Sequence, residues 1–296
     1  MEGRKAVVIT GGTGGIGYHS AVGIAATGAR VVVTGRSVEG GEAATRRIVQ
    51  ESGNSQVSFV RGDLSSLDGV DTLASMLMDA CGGEIDVLVN NAGYTGNEPR
   101  DSVDGIEMCF AVNVVAVRRL TLALLPALLA SGRARVLNVT GGDDPAAVDV
   151  DNLQAEKGFQ GLMTYKHSKS VLEALSVAMA GELEPHGISV NVLFPGRAST
   201  VMTRALSCSG LPGPVKCCYP CFVCMFLDDG GKGAAKAART TIWLATSDEL
   251  SGEGATGRYY DANQKERKMD PTAYDKNVHA RILAAIDEAT LSHDRK

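Results

Sequence analysis

The sequence predicts an α/β fold: a doubly wound parallel sheet with helices on both faces, formed by a single domain. Short runs of Val, Ile and Leu recur along the chain and alternate with segments long enough to form helices. These runs are continuously apolar, which is typical of strands that are buried on both faces of a sheet. A glycine-rich segment separates the first run from the first helical segment, as in a tight turn between a strand and a helix.

The predicted strands and helices follow one another in a regular order. Strands are predicted at residues 6–9, 30–34, 56–60, 86–89, 135–139, 188–193 and 258–260. Helices are predicted at residues 18–27 and 37–51, and a mostly apolar helix that contains Asn113 at 112–129. Residues 273–290 show an amphipathic helical pattern with Val278, Ile282, Leu283 and Ile286 on one face. We expect this last helix to cover the edge of the active site or a neighbouring subunit.

Composition limits the class of protein. The chain has 296 residues, of which 44% are hydrophobic, and its net charge is −5 with a pI of about 5.6. This acidic balance argues against a nucleic-acid-binding domain. The first predicted strand begins at residue 6, which leaves no room for a signal peptide before it, and no apolar stretch is long enough to span a bilayer. We therefore expect a soluble, cytoplasmic protein whose seven cysteines are reduced.

The glycine-rich turn suggests a ligand that carries phosphate. After the first strand the sequence reads Gly11-Gly12-Thr13-Gly14-Gly15-Ile16-Gly17. Glycine permits a positive φ and a close approach of the backbone, and the first amides of the following helix have no partners within it. These features suit a pyrophosphate. A glycine-rich turn alone is a weak signal, so the assignment depends on the motifs that follow it.

Five motifs in a fixed order are similar to those of the short-chain dehydrogenase/reductase family. They are Thr10-Gly11-(three residues)-Gly15-Ile16-Gly17, Asn90-Asn91-Ala92-Gly93, Phe110-Ala111-Val112-Asn113, Tyr165-Lys166-His167-Ser168-Lys169, and Pro195-Gly196 with Thr200. Residues 35–42, 151–157 and 167–169 resemble the retinol-dehydrogenase-like branch of this family. The resemblance implies a Rossmann-type dinucleotide-binding fold and an oxidoreductase that uses a nicotinamide cofactor.

The resemblance implies that Tyr165, Lys169 and Asn113 are the catalytic residues. Tyr165 and Lys169 are four residues apart on a predicted helix and therefore share a face. A nearby ammonium stabilises phenolate, so we expect Lys169 to lower the pKa of Tyr165 towards neutrality and make it a general acid or base. By resemblance, Lys169 also holds the nicotinamide ribose, and Asn113 holds a water that connects Lys169 to bulk solvent.

The resemblance also implies a set of cofactor-binding residues. These are Gly11, Thr13, Gly15, Ile16 and Gly17 in the turn, Arg36, Asp63, Leu64, Asn91, Ala92 and Gly93 after later strands, and Tyr165, Lys169, Pro195, Gly196 and Thr200 around the nicotinamide. Asp63 is expected to accept a hydrogen bond from the adenine amino group, and it could also serve as an ordinary helix N-cap.

The end of the second strand decides between NAD and NADP. Enzymes that prefer NAD carry Asp or Glu there, to accept hydrogen bonds from the ribose hydroxyls. In this chain Gly35 takes that place and Arg36 follows it. An arginine can bind a 2′-phosphate through two parallel hydrogen bonds. The predicted cofactor is therefore NADP(H).

One position departs from the family pattern. The family's catalytic serine, which follows the fifth strand, aligns with Gly141. Thr140 is one residue away and would point to the opposite face, unless a bulge turned its hydroxyl round. Loss of an oxyanion-hole donor costs about 10²–10³ in rate. The chain is therefore either an altered enzyme or a cofactor-binding scaffold without turnover, and Gly141→Ser is expected to raise activity in the first case only.

Residues 201–256 are expected to form a substrate lid. Residues 206–227 are rich in apolar side chains, which favours a retinoid-, steroid- or lipid-like carbonyl or alcohol as substrate. The segment also holds Cys208, Cys217, Cys218, Cys221 and Cys224. We favour apolar packing for these cysteines over a metal site, and peripheral contact of residues 215–227 with a membrane is a further possibility. The long helices leave a homo-oligomer open.

Overall fold

Eight strands form one sheet in the computed structural model, which describes residues 5–141, 146–196, 198, 233–247 and 255–294. The strands are β1 (Ala6–Ile9), β2 (Arg30–Gly35), β3 (Val57–Arg61), β4 (Val87–Asn90), β5 (Arg135–Val139), β6 (Ser189–Leu193), β7 (Tyr259–Tyr260) and β8 (Glu266–Arg267). Their order is β3-β2-β1-β4-β5-β6-β7-β8, and only the last pair is antiparallel. The predicted α/β fold is confirmed, with one antiparallel edge strand that the apolar pattern did not predict.

Nine α-helices are found among the described residues. They are α1 (Gly15–Ala25), α2 (Val38–Ser52), α3 (Leu67–Cys81), α4 (Met108–Phe110), α5 (Ala116–Ala123), α6 (Leu125–Ser131), α7 (Gly161–Leu183), α8 (Gly233–Thr246) and α9 (Lys276–Asp294). A π-helical turn, Ala111–Val115, joins α4 to α5, and 3-10 turns lie at Glu184–His186 and Pro271–Tyr274.

The single helix predicted at residues 112–129 is wrong, because the chain bends between α5 and α6. Pro126 lies in the first turn of α6 and has no amide with which to continue the ladder from α5. Within the described ranges, no single helix is long and apolar enough to cross a membrane. Among the residues that the structure describes, only the pair Met108–Ala123 and Leu125–Ser131 reaches that length and composition, and it does so jointly across a bend of 58°.

Each face of the sheet has its own core. Helices α3, α5, α6, α7 and α9 pack on one face, and α1, α2 and α8 on the other. Val8 belongs to the first core, whereas its neighbours Val7 and Ile9 belong to the second, since successive strand residues point to opposite faces. Strands that contribute to both cores need apolar residues at every position, which explains the continuous runs in the sequence.

The C-terminal helix α9 packs on the first core. Val278, Ile282 and Ile286 are buried there, close to α7. Arg119 of α5 also joins this helix to α3, because it forms ion pairs with both Asp71 and Asp294. The amphipathic helix predicted at residues 273–290 is present, but it begins at Lys276, after the 3-10 turn Pro271–Tyr274, and continues to Asp294. It covers a face of its own chain.

The strand order creates a crevice. β1 pairs with β2 on one side and with β4 on the other, so the chain leaves the carboxyl ends of β1 and β4 in opposite directions. In open parallel sheets, ligands bind at such a switch point. The glycine-rich turn lies after β1 and the Asn91–Gly93 segment after β4, so both predicted cofactor motifs meet there.

We expect Gly23→Ala to destabilise the fold. A Cβ at Gly23 of α1 would collide with Cδ1 of Ile242 on α8 and lie 2.9 Å from its Cγ1. Overpacking of this kind should reduce the free energy of unfolding by about 1–2 kcal/mol. Gly181→Ala is the matched control, because a Cβ there meets nothing within 4 Å. The control should gain about 0.5–1 kcal/mol from helix propensity. Urea unfolding measures both variants, and equal gains would contradict the close packing of α1 on α8.

Candidate active site

The glycine-rich turn is fixed to the end of β4 by hydrogen bonds. The backbone amides of Asn91 and Ala92 both donate to Oγ1 of Thr10, each over 3.0 Å. The Asn91 side chain donates to the carbonyl oxygen of Thr10 over 2.8 Å. These bonds hold the two walls of the crevice together.

The turn itself has the properties of an anion cradle. Gly11 has a φ of +64°, a conformation that favours glycine, and a Cβ at Gly17 would lie 2.5 Å from Nδ2 of Asn91. Gly14 precedes α1 without a side-chain cap, and a Cβ at Gly14 would meet nothing within 4 Å. The first amides of α1 therefore have no side-chain partner from the N-cap, and such amides bind phosphate well.

The end of β2 excludes an acidic side chain. A Cβ at Gly35 would lie 2.9 Å from both Cγ2 and Oγ1 of Thr13. The next residue, Arg36, is exposed, and Nε of Arg61 donates to its carbonyl oxygen over 3.3 Å. Arg36 and the guanidinium of Arg61 therefore lie at this corner of the crevice, and neither side chain forms an ion pair with a described carboxylate.

Asp63 closes a turn before α3. Its Oδ1 accepts from the amide of Ser65 over 3.0 Å and from the hydroxyl of Ser65 over 2.7 Å. The N-cap of α3 is Ser66, whose hydroxyl oxygen accepts from the amide of Gly69. The alternative that Asp63 caps this helix is therefore wrong. Its side chain stays exposed after β3, and Leu64 packs against the first core.

Gly93 lies directly over two of the predicted catalytic residues. A Cβ at Gly93 would lie 3.3 Å from Oδ1 of Asn113 and 3.5 Å from Nζ of Lys169. Asn113 is fully buried in the π-helical turn, a local form that is frequent at functional sites. Its Oδ1 accepts from the amide of Tyr94, and its Nδ2 donates to the carbonyl oxygen of Tyr94 and to Oγ of Ser168. Asn113 thus joins the end of β4 to α7, and its role in holding a water stays a prediction.

Tyr165 and Lys169 share one face of α7, as the spacing predicted. Nζ of Lys169 lies 5.9 Å from the centroid of the Tyr165 ring and donates to the carbonyl oxygen of Val139 over 2.9 Å. Burial raises the pKa of the Tyr165 phenol, and burial lowers the pKa of the Lys169 amine to about 8. The predicted lowering of the Tyr165 pKa is therefore wrong for this structure. Removal of the phenol from water outweighs the nearby charge, which is directed at Val139.

Gly141 faces the Tyr165 ring. A Cβ at Gly141 would collide with the Tyr165 hydroxyl oxygen and lie 2.8 Å from Cζ. Thr140, in contrast, donates its hydroxyl to Oε1 of Glu173 over 2.6 Å, so no bulge turns it towards Tyr165. Thr140 therefore does not replace the serine. The tyrosine hydroxyl fills the space beside Gly141, which removes the basis for expecting Gly141→Ser to restore activity.

Pro195 and Gly196 follow β6 at the same edge of the sheet. Gly196 has a φ of +91°, and a Cβ there would lie 3.1 Å from Cβ of Ala262. Several predicted features lie outside the described residues, namely Thr200, the lid segment 206–227, and the cysteines Cys208, Cys217, Cys218, Cys221 and Cys224.

Three polar residues of the site were not predicted from the sequence. Thr10 fixes Asn91 and Ala92, Ser168 binds Asn113, and Glu173 binds Thr140. Glu173 could have been found from the four-residue spacing of Tyr165, Lys169 and Glu173. No local signal in the sequence indicates that Thr10 or Ser168 bonds to these distant partners.

Known proteins share both the sequence pattern and the fold. A family model described as short chain dehydrogenase matches residues 5–209. Human retinol dehydrogenase 13 is 29% identical over 282 residues, which cover 95% of this chain and 82% of that protein. Human retinol dehydrogenase 14 is 30% identical over 302 aligned positions, covering 96% of this chain and 85% of that protein. The RhlG/NADP active-site complex of Pseudomonas aeruginosa has a TM-score of 0.63 and 30% identity, covering 87% of this chain and 94% of that chain.

We expect Gly141→Ser to destabilise the protein, because the new side chain must displace the Tyr165 ring. Overpacking should reduce the free energy of unfolding by about 1–3 kcal/mol. Tyr165→Phe removes the atom closest to the added Cβ, so the serine should cost less in the Tyr165→Phe background. A double-mutant cycle by chemical unfolding measures this coupling. A serine that is tolerated equally in both backgrounds would show that the ring is not seated against Gly141.

Proposed function

The chain belongs to the short-chain dehydrogenase family of oxidoreductases. We propose that it uses NADP(H) to interconvert a carbonyl and an alcohol on an apolar substrate. One observation carries the proposal. A Cβ added to Gly93, at the end of the cofactor crevice, would lie 3.5 Å from Nζ of Lys169, whose helix also presents Tyr165. A general acid and an ammonium therefore lie where the crevice ends.

The residues present fit a dinucleotide. The open backbone at Gly14 and the first amides of α1 would hold the pyrophosphate, and Asn91 and Gly93 would line the path towards Lys169. When bound, the nicotinamide would supply or accept the hydride. The protein's own contribution is to bind and orient the reactants and to move a proton at one oxygen.

Two features at the end of β2 support NADP rather than NAD. Thr13 occupies the space that the side chain of an Asp or Glu at position 35 would need. No carboxylate at this position can therefore accept hydrogen bonds from the ribose hydroxyls, as one does in enzymes that prefer NAD. Arg36 and the neighbouring Arg61 supply positive charge, and a guanidinium can bind a phosphate through two parallel hydrogen bonds.

Tyr165 would donate the proton to the substrate oxygen in reduction and accept it in oxidation. Since burial raises its pKa, the phenol keeps its proton at neutral pH, which suits a donor to the carbonyl oxygen in the reductive direction. Lys169 would fix the end of the crevice and supply a positive charge close to the developing alkoxide. Gly141 provides no hydroxyl donor. The oxyanion would therefore be stabilised by Tyr165 and by a hydrogen-bond donor that belongs to the substrate or to a water molecule beside Gly141.

The substrate class is inferred from composition and from the relatives. Residues 206–227 are predominantly apolar, and two of the relatives are named retinol dehydrogenases. An apolar carbonyl or alcohol, of retinoid, steroid or lipid type, fits both facts. We also propose that the protein is cytoplasmic and that residues 215–227 contact a membrane surface.

A second candidate is a cofactor-binding protein without turnover. Gly141 favours this candidate, since removal of an oxyanion donor costs about 10²–10³ in rate. Under this alternative the crevice would still bind NADP(H), and Tyr165 would have no kinetic role.

Turnover separates the two candidates. NADPH oxidation should be followed with a panel of apolar aldehydes and ketones for the wild type and for Tyr165→Phe. We expect the variant to lose at least about 10²-fold in kcat, because it cannot donate the proton, while NADPH still binds. Tight NADPH binding without turnover in the wild type would favour the second candidate. Equal turnover in both proteins would contradict the role of Tyr165.

We expect Arg36→Ala to weaken NADPH selectively. Loss of charge-assisted hydrogen bonds to a 2′-phosphate should raise the Kd for NADPH by about 10- to 100-fold and leave the Kd for NADH nearly unchanged. Arg46→Ala is the control, because Arg46 lies on the exposed face of α2 and pairs only weakly with Glu42. Titration of cofactor fluorescence gives both constants. An equal loss for NADPH and NADH would show that Arg36 does not read the 2′-phosphate.

A further inference from the structure

A buried carboxylate lies beside the catalytic pair. Glu173 follows Tyr165 and Lys169 at four-residue intervals on α7, so the three side chains share one face of the helix. Glu173 is only 6% exposed, and within the described part of the chain it forms no ion pair. Carboxylates are rarely buried in this way, because removing the charge from water is costly.

Two adjacent residues at the end of β5 bind two side chains that are one turn apart on α7. The carbonyl oxygen of Val139 accepts from Nζ of Lys169 over 2.9 Å, and the hydroxyl of Thr140 donates to Glu173 over 2.6 Å. The second distance is typical of a hydroxyl bound to a carboxylate. The paired bonds attach β5 to α7 immediately before Gly141.

The groups that influence the protonation of Glu173 lie on three parts of the fold. Burial is the largest influence and raises the pKa of Glu173 to about 7; Thr140 of β5 and Lys169 of α7 oppose this effect, and Asp270, which precedes the 3-10 turn, adds to it. In the other direction, burial lowers the pKa of Lys169 to about 8, and the nearby Cys109 and Glu173 oppose that shift. Glu173 and Lys169 therefore influence each other's charge near neutral pH.

We propose that Glu173 is a positioning residue of the active site: its carboxylate, oriented by Thr140, favours the protonated form of the Lys169 amine, which Val139 holds at the end of β5. A carboxylate close to an ammonium favours the charged form of both groups. The catalytic meaning of this arrangement rests on the proposed function. The coupling between Glu173 and Lys169 exists whether or not the protein turns over.

Two variants separate the charge of Glu173 from its hydrogen bond. Glu173→Gln keeps an acceptor for Thr140 and removes the charge. Thr140→Val removes the donor, which leaves the buried carboxylate less stable as an anion, so it should be protonated at neutral pH. Glu182→Gln is the matched control, since Glu182 lies on the same helix, is half exposed and pairs with Arg118 away from the site.

The titration of Lys169 can be observed directly, without substrate. The ¹⁵Nζ signals of protein labelled with ¹⁵N-lysine report each amine, and Lys169→Arg assigns the signal of interest. We expect a midpoint near pH 8 in the wild type and in Glu182→Gln. In Glu173→Gln and in Thr140→Val the midpoint should fall by about one pH unit, because the ammonium loses its anionic neighbour.

The outcomes are distinct. A Lys169 midpoint in Glu173→Gln equal to that of the wild type would overturn the proposal, whatever the activity of the protein. If Glu173→Gln does not fold, as judged by circular dichroism, the same comparison is made with Thr140→Val. Where turnover is found, the alkaline limb of kcat/KM should move to lower pH with the Lys169 midpoint. Absence of turnover in every protein would contradict the proposed function and leave the titration as the test of Glu173.

Discussion

The site depends on the hydrogen bonds that Thr10 and Asn91 make across the carboxyl ends of β1 and β4. At this point the chain leaves the sheet in opposite directions, so without these bonds the two walls of the crevice would be joined only by the strands below. The turn can approach Asn91 this closely only because position 17 is glycine: a Cβ there would lie 2.5 Å from the Asn91 side chain. The glycines of the turn are therefore required by packing as well as by the ligand.

The catalytic candidates are held by a second set of long-range bonds. Asn113 joins the end of β4 to Ser168 of α7, and Lys169 and Glu173 join α7 to the end of β5. Burial of such polar side chains is costly unless each has a partner. Each has one here, so the cost is offset, and the side chains are fixed before any ligand arrives. Fixed polar groups in a site of low polarity stabilise developing charge better than mobile ones do.

The sequence was a good guide to the sheet, because continuous apolar runs such as 31–33 and 87–89 have few alternatives to a buried strand. It also located Tyr165 and Lys169 on one helical face. It failed where the outcome depends on three-dimensional surroundings. The sign of the Tyr165 pKa shift follows from burial, which spacing along α7 cannot reveal. The bond between Thr140 and Glu173 links residues that are 33 positions apart. The short edge strand β8 and the bend at α6 likewise follow from local pairing and from Pro126 rather than from the apolar pattern.

We propose that a site with glycine at position 141 still transfers hydride between NADP(H) and an apolar substrate. The most direct measurement is the transfer of deuterium to an apolar aldehyde from NADPH that carries deuterium at both C4 positions, with the alcohol product analysed by mass spectrometry. We expect one deuterium in each alcohol molecule formed by the wild type. Bound NADPH with no deuterium in any product would contradict it, and would show that the fold has kept the cofactor crevice without the chemistry.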